Sequence, residues 1–456
     1  MDRLQDPATL VNLDHAHLWH PFTQMSEWVT EPPLIITEGQ GVRLRDHEGR
    51  WYLDGVSSLW VNVHGHRRPE IDRAITEQLG RVAHSTLLGC SSPPAILLAQ
   101  RLVQLAPPGL TKVFYSDDGS TAVEVALKMA LQYWQQASPP RPQKTKVLAY
   151  SLAYHGDTVG AVSVGGIDVF HSRFAPYLFP TYRGRPPYCY RCHLDLTYPA
   201  CEIACLGDVE RTLAEHHQEI AALIVEPLVY AAAGMITAPP GYLKRLRDLC
   251  TRYDVLLIAD EVATGFGRTG AMFACIKEGV TPDLMAVAKG LTGGYLPLAA
   301  TLATQQIYDA FLGEYPEFRT FFHGHSYTGN ALACAAGLAT LDIFVHDRVL
   351  AGLDTKIAHL RDALATLEKH PHVGEIRQCG LMAGIELVRD RATKARFPVP
   401  DRVGWTVSRA ARELGLLTRP LGDVLVLVPP LASTTDDLSE MVSSLRGAIS
   451  RVLGDD

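Results

Sequence analysis

The stretch Asp254–Pro297 reads DVLLIADEVATGFGRTGAMFACIKEGVTPDLMAVAKGLTGGYLP. It holds two short, almost wholly apolar runs. Val255–Ala259 ends in Asp260-Glu261, and Leu284–Ala288 ends in Lys289-Gly290. Runs of this length without polar alternation predict strands buried on both faces of a parallel sheet. Each delivers a charged residue at its carboxyl end, where open α/β sheets bind ligands. A carboxylate and a lysine are thereby expected in one crevice. An amine at the edge of an apolar run loses hydration, which favours its neutral, nucleophilic form. That is the condition for a Schiff-base lysine, and a buried Asp suits a protonated pyridine nitrogen. The bland alternative is a structural salt bridge between Lys289 and Asp260 or Glu261. Gly290, Gly293 and Gly294, directly after the lysine, favour the ligand reading, because glycines let backbone approach a ligand closely.

Composition narrows the classes. The 456 residues are 47% hydrophobic and 20% charged, enough for a sizeable core in two lobes. A net charge of −7 with no block of Lys or Arg argues against a nucleic-acid footprint. The opening MDRLQDPATLVNLDHAHLW lacks the apolar core of a signal peptide. Ile220–Leu243 is weakly charged but carries Glu226 and three prolines, so no membrane span is expected. Nine cysteines, mostly scattered in apolar segments, point to a reducing, cytoplasmic setting.

Outward from the opening stretch, strands and helices alternate. Val113–Tyr115 reads as a strand, Ser116–Gly119 as a tight loop, and a helix follows from Ser120 with Ala122, Val125, Ala126, Met129, Ala130 and Tyr133 on one face. A Gly-Ser-Thr run opening a helix after a strand is an anion cradle; the plainer reading is N-capping by Ser120 or Thr121. Lys146–Tyr150 is a further strand leading to Tyr154-His155-Gly156-Asp157, and a tyrosine there can lie flat on an aromatic ring. Ile220–Glu226 is another apolar strand, and Gly241–Tyr253 a crossover helix feeding the Asp260 strand. The alternation predicts α/β with a mainly parallel sheet. Upstream, Val42–Arg45 and Trp51–Leu53 form a hairpin with Gly49 in its turn, and a helix begins near Pro69. Beyond about Asp347 a charged helix and short strands predict a smaller α+β lobe. The expected division is 1–65, contributing to the small domain and the site; 66–335, the large domain; and 336–456, the small domain.

A lysine amine, a carboxylate, an aromatic cap and a phosphate cradle in one crevice are what pyridoxal 5′-phosphate needs. ADEVATGFGRTG followed by AKGLTGGYLPLAAT resembles the class III (ω-type) aminotransferases of PLP fold type I over nearly the whole chain. HLWHPFTQM, SSLWVNVHGH, YHGDT and HGHSYTGN resemble, more narrowly, the branch that converts 8-amino-7-oxononanoate to 7,8-diaminononanoate in biotin biosynthesis. The resemblance implies that Lys289 bonds the cofactor aldehyde and shuttles a proton, that Asp260 holds the pyridine nitrogen protonated, and that Tyr154 stacks on the ring. It implies that Gly119 and Ser120 bind phosphate, with Ser326 supplied by the partner subunit of a homodimer. Phe22, Trp60, Asp157, Gly324 and Arg419 match substrate-pocket positions, Arg419 as partner of a substrate carboxylate. Phe22, Leu59 and Val426 stand where many relatives carry larger or polar aromatics. The amino donor therefore stays open between S-adenosylmethionine and L-lysine. Two other readings compete: another class III transaminase acting on ω-amino acids or diamines, and a PLP-fold binding or regulatory module.

One motif lies outside the resemblance. PPYCYRCHLDLTYPACEIAC (186–205) spaces Cys189, Cys192, Cys201 and Cys205 as C-x2-C-x8-C-x3-C. Close pairs in a reducing compartment favour thiolate ligation, so a structural zinc or iron–sulfur site is expected, with His193 able to replace one ligand. The plain alternatives are reduced thiols packing the loop, or disulfide pairs.

Overall fold

The computed structural model describes residues 6–454. Its centre is a seven-stranded sheet: β1 (Leu110–Ser116), β2 (Lys146–Tyr150), β3 (Tyr182–Gly184), β4 (Ile220–Val225), β5 (Leu256–Asp260), β6 (Leu284–Val287) and β7 (Ala299–Thr304). The spatial order is β1-β7-β6-β5-β4-β2-β3, and all strands run parallel except β7, which is antiparallel to both neighbours. Every residue of β4, β5 and β6 is buried. Apolar side chains on both faces demand helices on both sides. One layer is helix α1 (Gly119–Gln136), which packs Val125, Ala126, Met129 and Tyr133 into the core. Helices α2 (Tyr242–Arg252) and α3 (Ala331–His346) belong to the larger apolar cluster that also takes Leu223 and Leu257.

The helix expected from Ser120 starts at Gly119, and its cap is neither Ser120 nor Thr121. Asp118 caps it, accepting from the Thr121 amide at 2.9 Å, while the Thr121 hydroxyl takes the Asp118 N–H at 3.0 Å. This reciprocal pair leaves the Ser120 hydroxyl free for other work.

The smaller lobe carries a four-stranded antiparallel sheet, Val373–Cys379, Met382–Leu387, Val424–Leu427 and Arg419–Leu421 in spatial order. The upstream hairpin (Arg43–Asp46 with Trp51–Asp54) forms as expected, and Leu53 and Asp54 pair in parallel with Leu416 and Leu417. After Asp54 the chain does something no pattern announced. Ser57, Ser58, Leu59 and Trp60 all have positive φ (50°, 52°, 81° and 67°), and none is glycine. The amides of Trp60 and Val61 close bonds to the carbonyls of Val56 and Ser57 at 2.7 and 2.9 Å, giving one left-handed helical turn. Each such residue costs about 1–2 kcal/mol, so the surroundings must impose the conformation.

Glu261 does not face the crevice. It is fully buried, accepts from the amides of Ala274 and Cys275 at 2.9 and 2.7 Å, and takes the Thr264 hydroxyl at 2.6 Å. It is a staple for the segment between β5 and β6. Glu261→Ala would strand three donors, so urea unfolding should show a loss of about 3 kcal/mol or more. A loss below about 1 kcal/mol would mean that water replaces the carboxylate.

Candidate active site

The carboxyl ends of β4, β5 and β6 meet the start of α1 around a cavity of about 390 Å³. Lys289, Asp260, Tyr154, Gly119, Ser120 and Trp60 all line it. β5 and β6 are hydrogen-bonded neighbours with Asp260 in register with Ala286. Lys289, three residues on, therefore emerges beside that carboxylate. It opens a 3₁₀ turn with φ 47°, and its ammonium nitrogen stands 4.8 Å from the centre of the Trp60 ring. Among the described residues Lys289 makes no ion pair within 4 Å, so the salt-bridge reading fails. Loss of hydration pulls its pKa down to about 8, opposed by the charges of Asp260 and Glu226.

Asp260 is 5% exposed and is held on both oxygens. Oδ1 accepts from the Val262 amide at 3.1 Å, and Oδ2 takes a bond from His155 Nδ1 at 2.7 Å. A carboxylate only accepts, so this contact places a proton on Nδ1. Among the described residues the buried His155 Nε2 has no hydrogen-bond partner. Glu226, at the end of β4, accepts from the amides of Tyr154 and Ala231 at 3.0 and 2.9 Å, and burial pushes its pKa up to about 7. Neither His155 nor Glu226 was assigned by sequence reasoning. The signals existed: Glu226 ends an apolar strand just as Asp260 does, and His155 directly follows Tyr154.

Tyr154 donates its hydroxyl to Asp157 at 2.7 Å, and burial together with that carboxylate raises its pKa, so the phenol stays protonated. The Ser120 hydroxyl accepts from the Asp157 amide at 3.2 Å. Gly156 permits this approach: a Cβ there would stand 2.1 Å from Ser120 Oγ, at a φ of +118°. Of the glycines after Lys289, Gly290 and Gly293 have another task than the one expected. A Cβ on Gly290 would lie 2.8 Å from Phe266 Cβ, so that glycine serves packing against the protein's own chain, although Gly294 does line the cavity.

Other predicted residues lie outside this lining. The Arg419 guanidinium sits 5.8 Å from the centre of the Phe22 ring; Phe22 packs edge-on against Phe170, which packs in turn against Tyr154. Arg419 has no carboxylate within 4 Å among the described residues. Val426 is 1% exposed and packs with Trp60, so it is wall rather than open pocket, whereas Leu59 is exposed. Gly324 and Ser326 are exposed and do not line the Lys289 cavity of their own chain.

The cysteine loop gives its expected ligation no support. Cys189, Cys192, Cys201, Cys205 and His193 surround a cavity of only about 20 Å³, and the thiols are free. Among the described residues no group of three or more His, Cys, Asp or Glu side chains is set to hold a metal ion. The expected zinc or iron–sulfur site is not shown. Burial, with the neighbouring thiols Cys189, Cys201 and Cys192, raises the Cys205 pKa to about 11. The loop also needs no metal to replace a core. Ile203 and Leu206 are buried in the main cluster, Arg191 Nε donates to Glu386 at 2.7 Å, and Tyr188 bonds the same carboxylate.

A lysine of lowered pKa beside a carboxylate, with a helix start and a tyrosine at hand, is a set that fits pyridoxal phosphate. Residues 24–449 match the family model described as aminotransferase class-III. This chain belongs to the class III aminotransferases. It is 55% identical over 450 residues to the adenosylmethionine-8-amino-7-oxononanoate aminotransferase of Geobacter sulfurreducens, covering 98% of this chain and 99% of the relative. The crystal structure of the protein of that name from Methanocaldococcus jannaschii superposes with a TM-score of 0.94 at 44% identity, covering 98% of this chain and 100% of that one. A thermostable (S)-enantioselective omega-transaminase from Thermomicrobium roseum gives 0.93 at 36% identity, with 98% and 99% covered. The fold is that of the fold type I transaminases, and pyridoxal phosphate is the cofactor the family implies. Among the described residues no helix of this transaminase is long and apolar enough to cross a membrane.

The state of Lys289 gives a direct test. Only the neutral amine attacks an aldehyde, and its fraction rises as pH passes the pKa. Uptake of pyridoxal phosphate by cofactor-free protein, followed by stopped-flow absorbance, should rise through pH about 8 and then level. A rise that continues toward 10.5, the value of an ordinary lysine, would contradict the assignment.

Proposed function

We propose that the chain catalyses transamination of 8-amino-7-oxononanoate to 7,8-diaminononanoate, with S-adenosylmethionine or L-lysine as amino donor. The observation that carries this reading is the single cavity holding Lys289, Asp260, Tyr154 and the Gly119–Ser120 helix start. The names borne by relatives that match almost end to end support the substrate.

Bound pyridoxal phosphate supplies an aldehyde that captures amines and a protonated ring that withdraws electrons from the attached carbon. The chain supplies the rest. In this reading Lys289 would hold the aldehyde and, as a free amine, would carry the proton to and from the substrate Cα; a pKa near 8 suits both tasks. Asp260, fixed by His155 and the Val262 amide, would keep the ring nitrogen charged. Tyr154 would cover the ring face. The first amides of α1 and the Ser120 hydroxyl hold the phosphate with the help of the helix dipole. Arg419, a cation without a carboxylate partner among the described residues, receives the substrate carboxylate, and Trp60 and Asp157 bound the space for its chain. Phe22 and Leu59 offer a less stacking-prone surface than larger aromatics, which favours L-lysine as a competent donor.

We place the working unit in a homodimer. Ser326 and Gly324 lie exposed beside other exposed apolar side chains, Phe322 and Tyr327, with His84 against Tyr327 at 5.0 Å. A second copy would cover that patch and bring Ser326 to its neighbour's phosphate.

Lys289→Ala should abolish transamination while leaving the protein folded, and borohydride reduction of the wild type should put the pyridoxyl label on Lys289. A label on another lysine rejects the assignment. Mixing inactive Lys289→Ala chains with inactive Ser326→Arg chains should restore activity, because one site in each mixed dimer is intact. No recovery despite proven mixed dimers would place Ser326 outside its neighbour's site. Half-reactions with each donor should show conversion by L-lysine; turnover with S-adenosylmethionine alone removes lysine from the reading. Growth of a biotin auxotroph lacking the corresponding activity separates the proposed substrate from a general ω-amine transaminase.

A further inference from the structure

Four consecutive non-glycine residues in the left-handed region, ending on a residue that lines the cavity, require something that holds them there. The contacts that do so converge on Asp54. It is 1% exposed and ends the strand that joins the upstream hairpin to Leu416–Leu417. Its Oδ1 accepts from the Ser58 amide at 2.9 Å, and its Oδ2 takes the Ser58 hydroxyl at 2.8 Å and His66 Nε2 at 3.0 Å. The rest of the turn is fixed at its edges. Ser57 Oγ donates to the Val428 carbonyl at 2.7 Å, and the buried Arg268 donates to the carbonyls of Asn62 and Pro429, each at 2.6 Å. Asn62 Nδ2 lies 3.2 Å from His66 Nδ1, which closes the ring of contacts.

We propose that Asp54 is a positioning residue for substrate binding: its carboxylate enforces the left-handed turn Ser57–Trp60 and thereby sets the Trp60 indole against Lys289. Asp54 touches neither the cavity nor Lys289, so it acts only through the turn. Returning any of the four residues to the right-handed region would swing the next side chains away from their present places. The residue at the end of the turn is the one facing the Lys289 amine at 4.8 Å. Trp60 bounds the space around the reacting amine in every bound state, so its displacement weakens substrate and transition state alike and appears in KM.

This rests on reading the Lys289 cavity as the substrate site, and the test separates the two ideas. Steady-state kinetics of the holoenzyme are measured beside hydrogen exchange at the amides of Trp60 and Val61. Asp54→Ala is expected to raise KM by roughly tenfold or more with kcat changed less than about threefold, and to deprotect both amides. In Asp54→Ala/Ser58→Gly the serine has no partner left to lose, and glycine enters the left-handed region without steric penalty. That second change is expected to restore both KM and protection. A carboxylate that merely stabilises the fold would lower Tm and the active fraction, hence kcat, and leave KM unmoved. That result overturns the proposal, as does a double variant whose amides are protected again while KM stays high. If Asp54→Ala does not fold, Ser58→Ala removes only the 2.8 Å bond; it should raise KM in the same direction by a smaller factor, and an unchanged KM overturns the idea. A wild-type protein that transaminates no amine at all would instead reject the reading of the cavity.

Discussion

A strand buried on both faces can show a charge to a cavity only where the strand stops. That constraint organises the whole molecule. β4 and β6 are wholly apolar and β5 is apolar up to its last residue, Asp260; Glu226 and Lys289 follow one and two residues beyond β4 and β6, and the three charges line one cavity. Their parallel direction puts the three ends on one edge. Low dielectric behind them and a cavity in front shift both Glu226 and Lys289 toward their neutral forms. The same packing that stabilises the sheet therefore prepares the reactive amine.

Around this edge each supporting contact limits one degree of freedom. His155 fixes the plane of the Asp260 carboxylate, and Glu226 ties down the backbone of Tyr154 while facing the same space. Gly156 lets the Tyr154 segment touch Ser120, so the tyrosine and the start of α1 are tied together. The site is thus a set of backbone positions locked by buried polar groups, with few side chains left to choose their own rotamer.

The sheet and its crossover helices were legible because periodicity and burial are local: runs of four to six apolar residues name their own environment. The Lys289–Asp260 pair followed from where those runs end. What escaped was whatever depends on a particular side-chain contact, near or far in sequence. Asp118 capping, the left-handed turn at Ser57 and the partnership of His155 with Asp260 leave no periodic trace. The four cysteines are the opposite case. Their spacing is a strong local signal, but it does not reveal that Ile203 and Leu206 enter the main core or that the distant Glu386 takes Tyr188 and Arg191.

The reversed strand β7 has a consequence for how the molecule comes into being. It lies between β1 and β6, pairing Tyr115 with Ala300 across most of the large lobe's sequence. The helix start at Gly119 and Ser120 follows β1 and Lys289 follows β6, so the two sides of the cavity are joined only when β7 is inserted. Such long-range closure comes late and slowly in folding. A chain in which β1 has formed therefore holds the Gly119–Ser120 wall of the cavity alone until residues 299–304 find their slot between β1 and β6.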